Sequence, residues 1–300
     1  MIEVKGLNKK FDDFEALIDL NLNVQTGSIY GLVGVNGSGK TTLIRHLTGV
    51  LRQDSGSIKM DGEDIYDNEN IKRRVGYIPD ELYFFNSYNI YAMSRFYKNL
   101  YPGWSDERYS KMLADFSFKN TDRLAKLSKG MQKQAQFILT MSCMPDFLIL
   151  DEPIDGLDPV VRKKVWRYVV DDVAERSMTV LVSSHNLREM EGICDSIGIL
   201  SAGSMKLERE LDELKSDIHK VQVAFHSRED AERAFASLNV LSREGSGSVE
   251  HLIVRGGRQE IENHVFAQDP IIFDILPLSL EEVFIYEMGG AKDEIKSILS

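Results

Sequence analysis

The sequence predicts an α/β fold in two parts: a parallel sheet covered by helices, then a smaller α+β domain. Three observations predict it. Short apolar runs alternate with stretches of helical periodicity, a glycine-rich turn joins the first buried run to a helix, and the pattern changes character after about Lys215. The length agrees, since 300 residues exceed what one hydrophobic core comfortably serves. With 43% apolar and 28% charged residues, the mix is that of an ordinary folded protein.

Before residue 80, strand-like pieces are broken by turn signals at Asp54-Ser55-Gly56 and Asp61-Gly62, which predicts a small antiparallel sheet at one side. Ile29–Val33 is the first core strand, and Leu43, Ile44, Leu47, Val50 and Leu51 form the inward stripe of the helix after it. From Ile90 to about Met144 the pattern is helical, broken at Pro102-Gly103. Ser105 there supplies an N-cap, with Asp106 and Glu107 in an acidic first turn. Phe147–Leu150, Val180–Ser183 and Ile197–Leu200 are further core strands. Between the first two of these, Val161, Val165, Tyr168, Val169 and Val173 mark one face of a helix, making a βαβ unit. In the second part, Lys220–Phe225 and His251–Arg255 read as strands, and Asp230–Leu238 and a stretch from near Ser279 as helices. The expected domains are residues 1–214 and 215–300.

Lys and Arg total 36 against 47 Asp and Glu, a net charge of −11 with a deficit in both parts, which argues against holding a nucleic-acid backbone. Cys143 and Cys194 form no C-x-x-C pair, so neither a disulfide framework nor a zinc site is signalled; two buried small hydrophobes in a reducing compartment are expected. The first ten residues lack the apolar stretch of a signal peptide, and no apolar run approaches the roughly 18 residues of a membrane helix. If the protein serves a membrane, another chain must cross it.

The strongest motif is Gly34-Val35-Asn36-Gly37-Ser38-Gly39-Lys40-Thr41, which fits G-x-x-x-x-G-K-[ST] between an apolar strand and a helix. Its glycines let successive backbone N–H groups, on through Thr42, point at phosphate oxygens. The helix adds its positive end, Lys40 reaches the terminal phosphates and Thr41 can ligate Mg²⁺. These residues do not choose between a kinase, a GTPase and an ATPase. Downstream, Phe147–Leu150 ends in Asp151-Glu152, two carboxylates at the carboxyl end of a buried strand, the edge where ligands bind in open α/β sheets. Asp151 can hold Mg²⁺ and Glu152 can polarise the attacking water.

Between these motifs, Leu127-Ser128-Lys129-Gly130-Met131-Gln132 resembles the L-S-G-G-Q signature of ATP-binding-cassette (ABC) proteins, ending 19 residues before Asp151. Asp158 in Asp155-Gly156-Leu157-Asp158 matches that family's D-loop, and His185, closing Val180–Ser184, its switch histidine. Phe11 resembles the aromatic that stacks on adenine, with Phe14 near enough to serve instead. The resemblance implies a P-loop NTPase with a RecA-like parallel core, an antiparallel β subdomain and a helical subdomain over about residues 82–145. It implies an Mg-dependent ATPase that binds ATP, with Glu152, His185 and Asp80 as catalytic groups and Thr41 and Asp151 as metal ligands. Ser128, Gly130, Gln132 and Asp158 would complete the nucleotide site of a second ATPase subunit, a homodimer partner or close paralogue. It further implies a separate transmembrane permease as partner and a place on the inner face of the cell membrane, on the cytoplasmic side.

Two motifs depart from the family pattern. Asp80 stands where the Q-loop glutamine should follow Val75-Gly76-Tyr77-Ile78-Pro79; an ionised aspartate can approach Mg²⁺ but cannot donate a hydrogen bond. The signature carries Lys129 and Met131 in place of Gly and Gln, leaving Gln132 one position late. These departures and the tail Leu278-Ser279-Leu280-Glu281-Glu282-Val283-Phe284 resemble ATPase subunits of ABC-2-type exporters, such as the bacitracin-resistance group. A soluble ABC protein acting on ribosomes or DNA is the competing class; those relatives generally carry two cassettes or a long coiled-coil insertion. The intact Glu152 and His185 speak against a catalytically idle switch.

Twelve of the 27 aromatic residues fall between Tyr83 and Phe118. Phe96, Tyr109 and Phe116 are expected to pack the helical subdomain. Tyr83, Phe84, Phe85 and Tyr88 are expected to face a partner, because four aromatics within six residues cannot all be buried on one face.

Overall fold

The computed structural model describes residues 1–246 and 248–287, so residues 288–300 of the expected second domain lie outside the described residues. The chain forms two units, Met1–Asn186 with Gly192–Glu208, and Leu187–Glu191 with the chain from Arg209.

In the first unit a six-stranded sheet runs in the order Ser204–Glu210, Ser196–Ser201, Ile29–Val33, Thr179–Ser184, Phe147–Asp151, Val75–Ile78. Ile29–Val33 pairs in parallel with both neighbours, and the pairs from Thr179–Ser184 through Phe147–Asp151 to Val75–Ile78 are parallel as well. Every residue of Ile29–Val33, Phe147–Asp151 and Thr179–Ser184 is buried, as a sheet covered on both faces requires, so these strands read as continuous apolar runs rather than alternations. A second, antiparallel sheet has the order Phe14–Val24, Ile2–Phe11, Ser55–Met60, Glu63–Asp64. One of its faces is buried, so Leu20, Leu22 and Val24 alternate with exposed residues. They pack with Leu32, Leu43 and Ile44 in one core between the two sheets.

Helices Ile90–Leu100, Asp106–Asp115 and Lys129–Ser142 make the helical part. Ser105 caps the second of them: its Oγ accepts the Arg108 N–H at 3.1 Å. Asp172, buried on helix Pro159–Arg176, joins that helix to the helical part by pairing with Arg108 at 2.7 Å, and it also pairs with Arg176 of its own helix at 3.0 Å. Tyr109 and Phe116 are buried. Two expectations for the aromatic cluster need correcting. Phe84 is buried, with 7% of its surface exposed, and only Tyr83 (83%) and Phe85 (41%) of that group are well exposed. Phe96 is exposed, because Ile90, Met93 and Ser94 take the inward face of its helix; its ring meets Phe85 edge-on at 5.8 Å instead.

The second unit is an antiparallel sheet in the order Asn239–Ser246, Val249–Arg255, Ile218–Ala224, Ile272–Leu276. Helices Arg228–Phe235 and Arg258–Phe266 make the connections. Strand, helix, two strands, helix, strand with this order is the ferredoxin-like split βαβ arrangement. Val221, Val223, Leu252 and Val254 pack on Ala234 and Ile261 of its helices.

The tail motif has a physical account. Ser279 and Glu282 form a capping box: the Ser279 Oγ accepts the Glu282 N–H at 3.3 Å, and Glu282 Oε2 accepts the Ser279 N–H at 3.0 Å. Glu282 Oε1 also lies 2.7 Å from Lys220 Nζ. Leu280, Val283 and Phe284 are buried, and their helix, Leu280–Glu287, packs against Leu187–Met190, where Arg188 and Glu281 pair at 3.1 Å. Burial raises the Glu282 pKa, but hydrogen bonds from Lys220 and Ser279 outweigh it and leave the pKa below 4.5. A depressed carboxylate contributes stability that is present above its unfolded pKa and lost as the pH falls through the folded one. Glu282→Ala is therefore expected to destabilise the second unit by about 1 kcal/mol at pH 7. Urea unfolding should show that difference shrinking well below pH 4.5; an equal difference at both pH values would assign the loss to packing alone.

Candidate nucleotide site

The site grows from the end of strand Ile29–Val33. Gly34 follows it under tight constraint, because a Cβ there would lie 2.3 Å from the Leu200 carbonyl oxygen and 2.6 Å from Ser38 Oγ. The loop closes as the Ser38 N–H donates to the Val35 carbonyl at 3.1 Å and the Gly203 N–H donates to the Ser38 carbonyl at 3.0 Å. Gly39 caps helix Lys40–Leu47 in the left-handed region, φ 109°, and no side chain caps the first turn. The N–H groups of that turn, with the positive end of the helix dipole, therefore face the loop.

Lys40 is 6% exposed and folds back into the loop, its Nζ donating to the Gly34 carbonyl at 2.5 Å and the Val35 carbonyl at 3.2 Å. Burial lowers its pKa, against the opposing pull of Glu152 and Asp151. Asp151 ends its strand 2% exposed and accepts the Ser183 hydroxyl at 2.6 Å from the neighbouring strand, its register partner. The same Ser183 Oγ accepts the Glu152 N–H at 3.2 Å. Glu152 has a positive φ of 46°, a conformation a non-glycine residue holds only where its surroundings enforce it. Its Oε2 is 3.0 Å from His185 Nδ1 and its Oε1 is 3.8 Å from Lys40 Nζ. Oε1 is buried and has no hydrogen-bond partner among the described residues. Burial raises the Glu152 pKa, with His185 and Lys40 holding it back.

A cavity of 280 Å³ opens over the loop, lined by Phe14, Val35, Asn36, Gly37, Gly39, Lys40, Thr41, Thr42, Asp80, Asp151 and Glu152. Ser38 lies beneath it, buried. The structure thus brings together the phosphate loop, both strand-end acids, Asp80 and, through Glu152, His185. Phe11 is not among them. It ends strand Ile2–Phe11 with Lys9 Nζ 5.4 Å from its ring centre, and its cross-hairpin partner Phe14 lines the cavity instead.

The residues matched to the signature and D-loop do not line this cavity. Ser128 caps helix Lys129–Ser142, its Oγ accepting the Met131 N–H at 3.3 Å. Gly130 lies against the D-loop, where a Cβ would come 3.1 Å from the Gly156 carbonyl oxygen. The Gln132 amide donates to the Leu124 carbonyl at 3.0 Å. Asp158 caps helix Pro159–Arg176, accepting the N–H groups of Val160 and Val161 at 3.0 Å. Gly130, Gln132, Gly156 and Asp80 border a second cavity, of 530 Å³.

Two residues of the site carry no local signal in the sequence. Ser183 reaches Asp151 only through strand register, and Lys133 reaches Glu152 from the helix that follows Ser128.

A phosphate-cradling loop and a strand-end acid pair sharing one cavity at the edge of a parallel sheet define a P-loop nucleotide-binding protein. Residues 17–155 match the ABC transporter family model. The chain is 32% identical to the ABC transporter ATP-binding protein YtrB of Bacillus subtilis, over 97% of this chain and 99% of that one. It is 29% identical to the bacitracin transport ATP-binding protein BcrA of Bacillus licheniformis, over 97% and 98%. A solved ATP-binding subunit of an ABC transporter superposes with a TM-score of 0.67 at 28% identity, covering 72% of this chain and 92% of its own. The chain belongs to the ATP-binding proteins of ABC transporters. Members of this family bind and hydrolyse ATP, act with transmembrane permeases and form dimers. Among the described residues, no helix is long and apolar enough to cross a membrane.

Proposed function

We propose that this subunit hydrolyses Mg-ATP to drive export through a separate permease, with residues 1–214 as the ATPase and 215–300 as an accessory domain. The observation that carries the reading is Glu152, held between Lys40 and His185 in the cavity over the phosphate loop. The donor set suits Mg²⁺: a Thr41 hydroxyl and the buried Asp151 carboxylate are the hard oxygens that ion prefers. Thr41 and Asp151 would hold the metal, which would neutralise charge on the terminal phosphates.

The chain's own residues supply the rest. Backbone N–H groups from Val35 to Thr42 hold the phosphates, and Lys40 turns from the loop carbonyls to the terminal phosphate. Glu152 accepts the proton of the attacking water; its burial and raised pKa make it a better base than a solvated carboxylate. His185 orients Glu152 through its Nδ1 and reaches the γ-phosphate. Catalysis of this kind is mostly positioning and charge stabilisation. Ser128, Gly130 and Asp158 act on the nucleotide of a second subunit, which accounts for their distance from this chain's own cavity. The permease docks beside Asp80, where Tyr83 and Phe85 are exposed, and holds the subunit at the inner face of the cell membrane. Export is supported by the tail motif and by similarity to the bacitracin transport protein along almost its whole length.

Purified protein is expected to release phosphate from ATP with Mg²⁺ and to lose turnover to background when EDTA removes the metal. Continued release in EDTA would overturn the metal-dependent reading.

A further inference from the structure

We infer that Lys133 is a positioning residue for hydrolysis: from the helix begun at Ser128 it holds the Glu152 peptide and offsets the charge of Asp80. Its Nζ donates to the Glu152 carbonyl at 2.9 Å and to Asp80 Oδ1 at 3.3 Å. The side chain is only 12% exposed although it ends in a charge, which requires partners for the ammonium.

The geometry explains why Glu152 keeps its unfavourable backbone. The peptide is gripped on both sides: Ser183 accepts its N–H and Lys133 donates to its carbonyl. The two grips come from different elements, strand Thr179–Ser184 and helix Lys129–Ser142, so the φ of 46° is fixed by packing rather than local preference. With the backbone so held, the carboxylate points at His185 and Lys40. Releasing the carbonyl lets the residue relax toward an ordinary conformation and withdraws the base from the water.

The second contact answers an electrostatic problem. Asp80 lines the phosphate cavity together with Asp151 and Glu152, so an uncompensated carboxylate there repels a nucleotide polyphosphate. An ammonium carries three donors and a full charge, so Lys133 serves a carbonyl and a carboxylate at once. It thereby joins three parts of the site: the loop after strand Val75–Ile78, the strand-end acid, and the helix capped by Ser128.

The inference rests on Glu152 being the base, and its two contacts separate kinetically. Lys133→Met is expected to lower kcat by about 30-fold and raise the ATP KM by about fivefold. Adding Asp80→Asn removes the unpaired charge and should return KM to within about twofold of the unsubstituted protein while kcat stays low. Lys133→Ala, which has no side-chain donor, is expected to show the same kcat loss and serves if the methionine variant does not fold. A kcat within about twofold of the unsubstituted protein in a folded Lys133 variant overturns the inference, as does recovery of kcat together with KM in the double variant. Glu152→Gln run in parallel keeps the two levels apart: turnover in that variant removes the reading of the site, whereas an inert Glu152→Gln beside an active Lys133→Met removes only the role given to Lys133.

Discussion

Glu152→Gln is expected to cut steady-state ATP hydrolysis by about 10²- to 10⁴-fold while leaving nucleotide bound. The amide keeps the shape of the side chain and its contact with His185, which lies 3.0 Å from Oε2, but it loses the lone-pair basicity that takes up a proton. The phosphate loop, Lys40, Thr41 and Asp151 are untouched, so ATP enters and stays. A site that binds and does not turn over should hold the two-chain state, so light scattering with Mg-ATP is expected to show a dimer that disappears without nucleotide. Turnover within tenfold of the unsubstituted protein would sink the assignment of Glu152 as base. A monomer at saturating ATP would count against Ser128 acting across a subunit boundary.

Lys40→Ala should give the opposite signature, with ATP binding weakened by about 30- to 100-fold, or about 2–3 kcal/mol. The side chain is buried and folded onto the loop, its Nζ 3.8 Å from Glu152 Oε1. Alanine removes a charge-assisted donor and leaves the Gly34 and Val35 carbonyls without their present donor, so the loop loses order as well as charge. Equilibrium binding of a fluorescent ATP analogue measures the effect. Affinity unchanged in Lys40→Ala would mean that the ammonium stays on the loop carbonyls and never engages phosphate. Read together, the two variants separate holding the nucleotide from cleaving it.

Sequence alone made the phosphate loop legible because its chemistry is local: glycines, Lys40 and Thr41 are contiguous and lie between a strand and a helix. Asp151 and Glu152 were legible for a related reason, since a strand buried on both faces reads as one apolar run and its polar ending stands out. Ser183 and Lys133 were not. Ser183 lies 32 residues from Asp151 and meets it by parallel register, and Lys133 lies 19 residues from Glu152 and meets it by the placement of a helix. Either residue, read locally, is an ordinary strand serine or helix lysine. Phe11 and Phe14 illustrate a finer limit, because they face each other across a hairpin and only the pairing shows which one borders the cavity. In the second unit the polar strand Asn239–Ser246 and the short strand Ile272–Leu276 showed no alternation strong enough to read, whereas Val221, Val223, Leu252 and Val254 gave theirs away.

The tail helix has a topological consequence. Leu187–Glu191 groups with the second unit although the first unit resumes at Gly192, so the polypeptide visits that unit twice. The first visit begins with only Asn186 between it and His185. No single cut separates the two units: ending the chain before Arg209 would leave Leu187–Glu191 behind without helix Leu280–Glu287, against which buried Leu187 and Met190 pack. The second unit is in this sense threaded into the sequence of the first rather than appended after it.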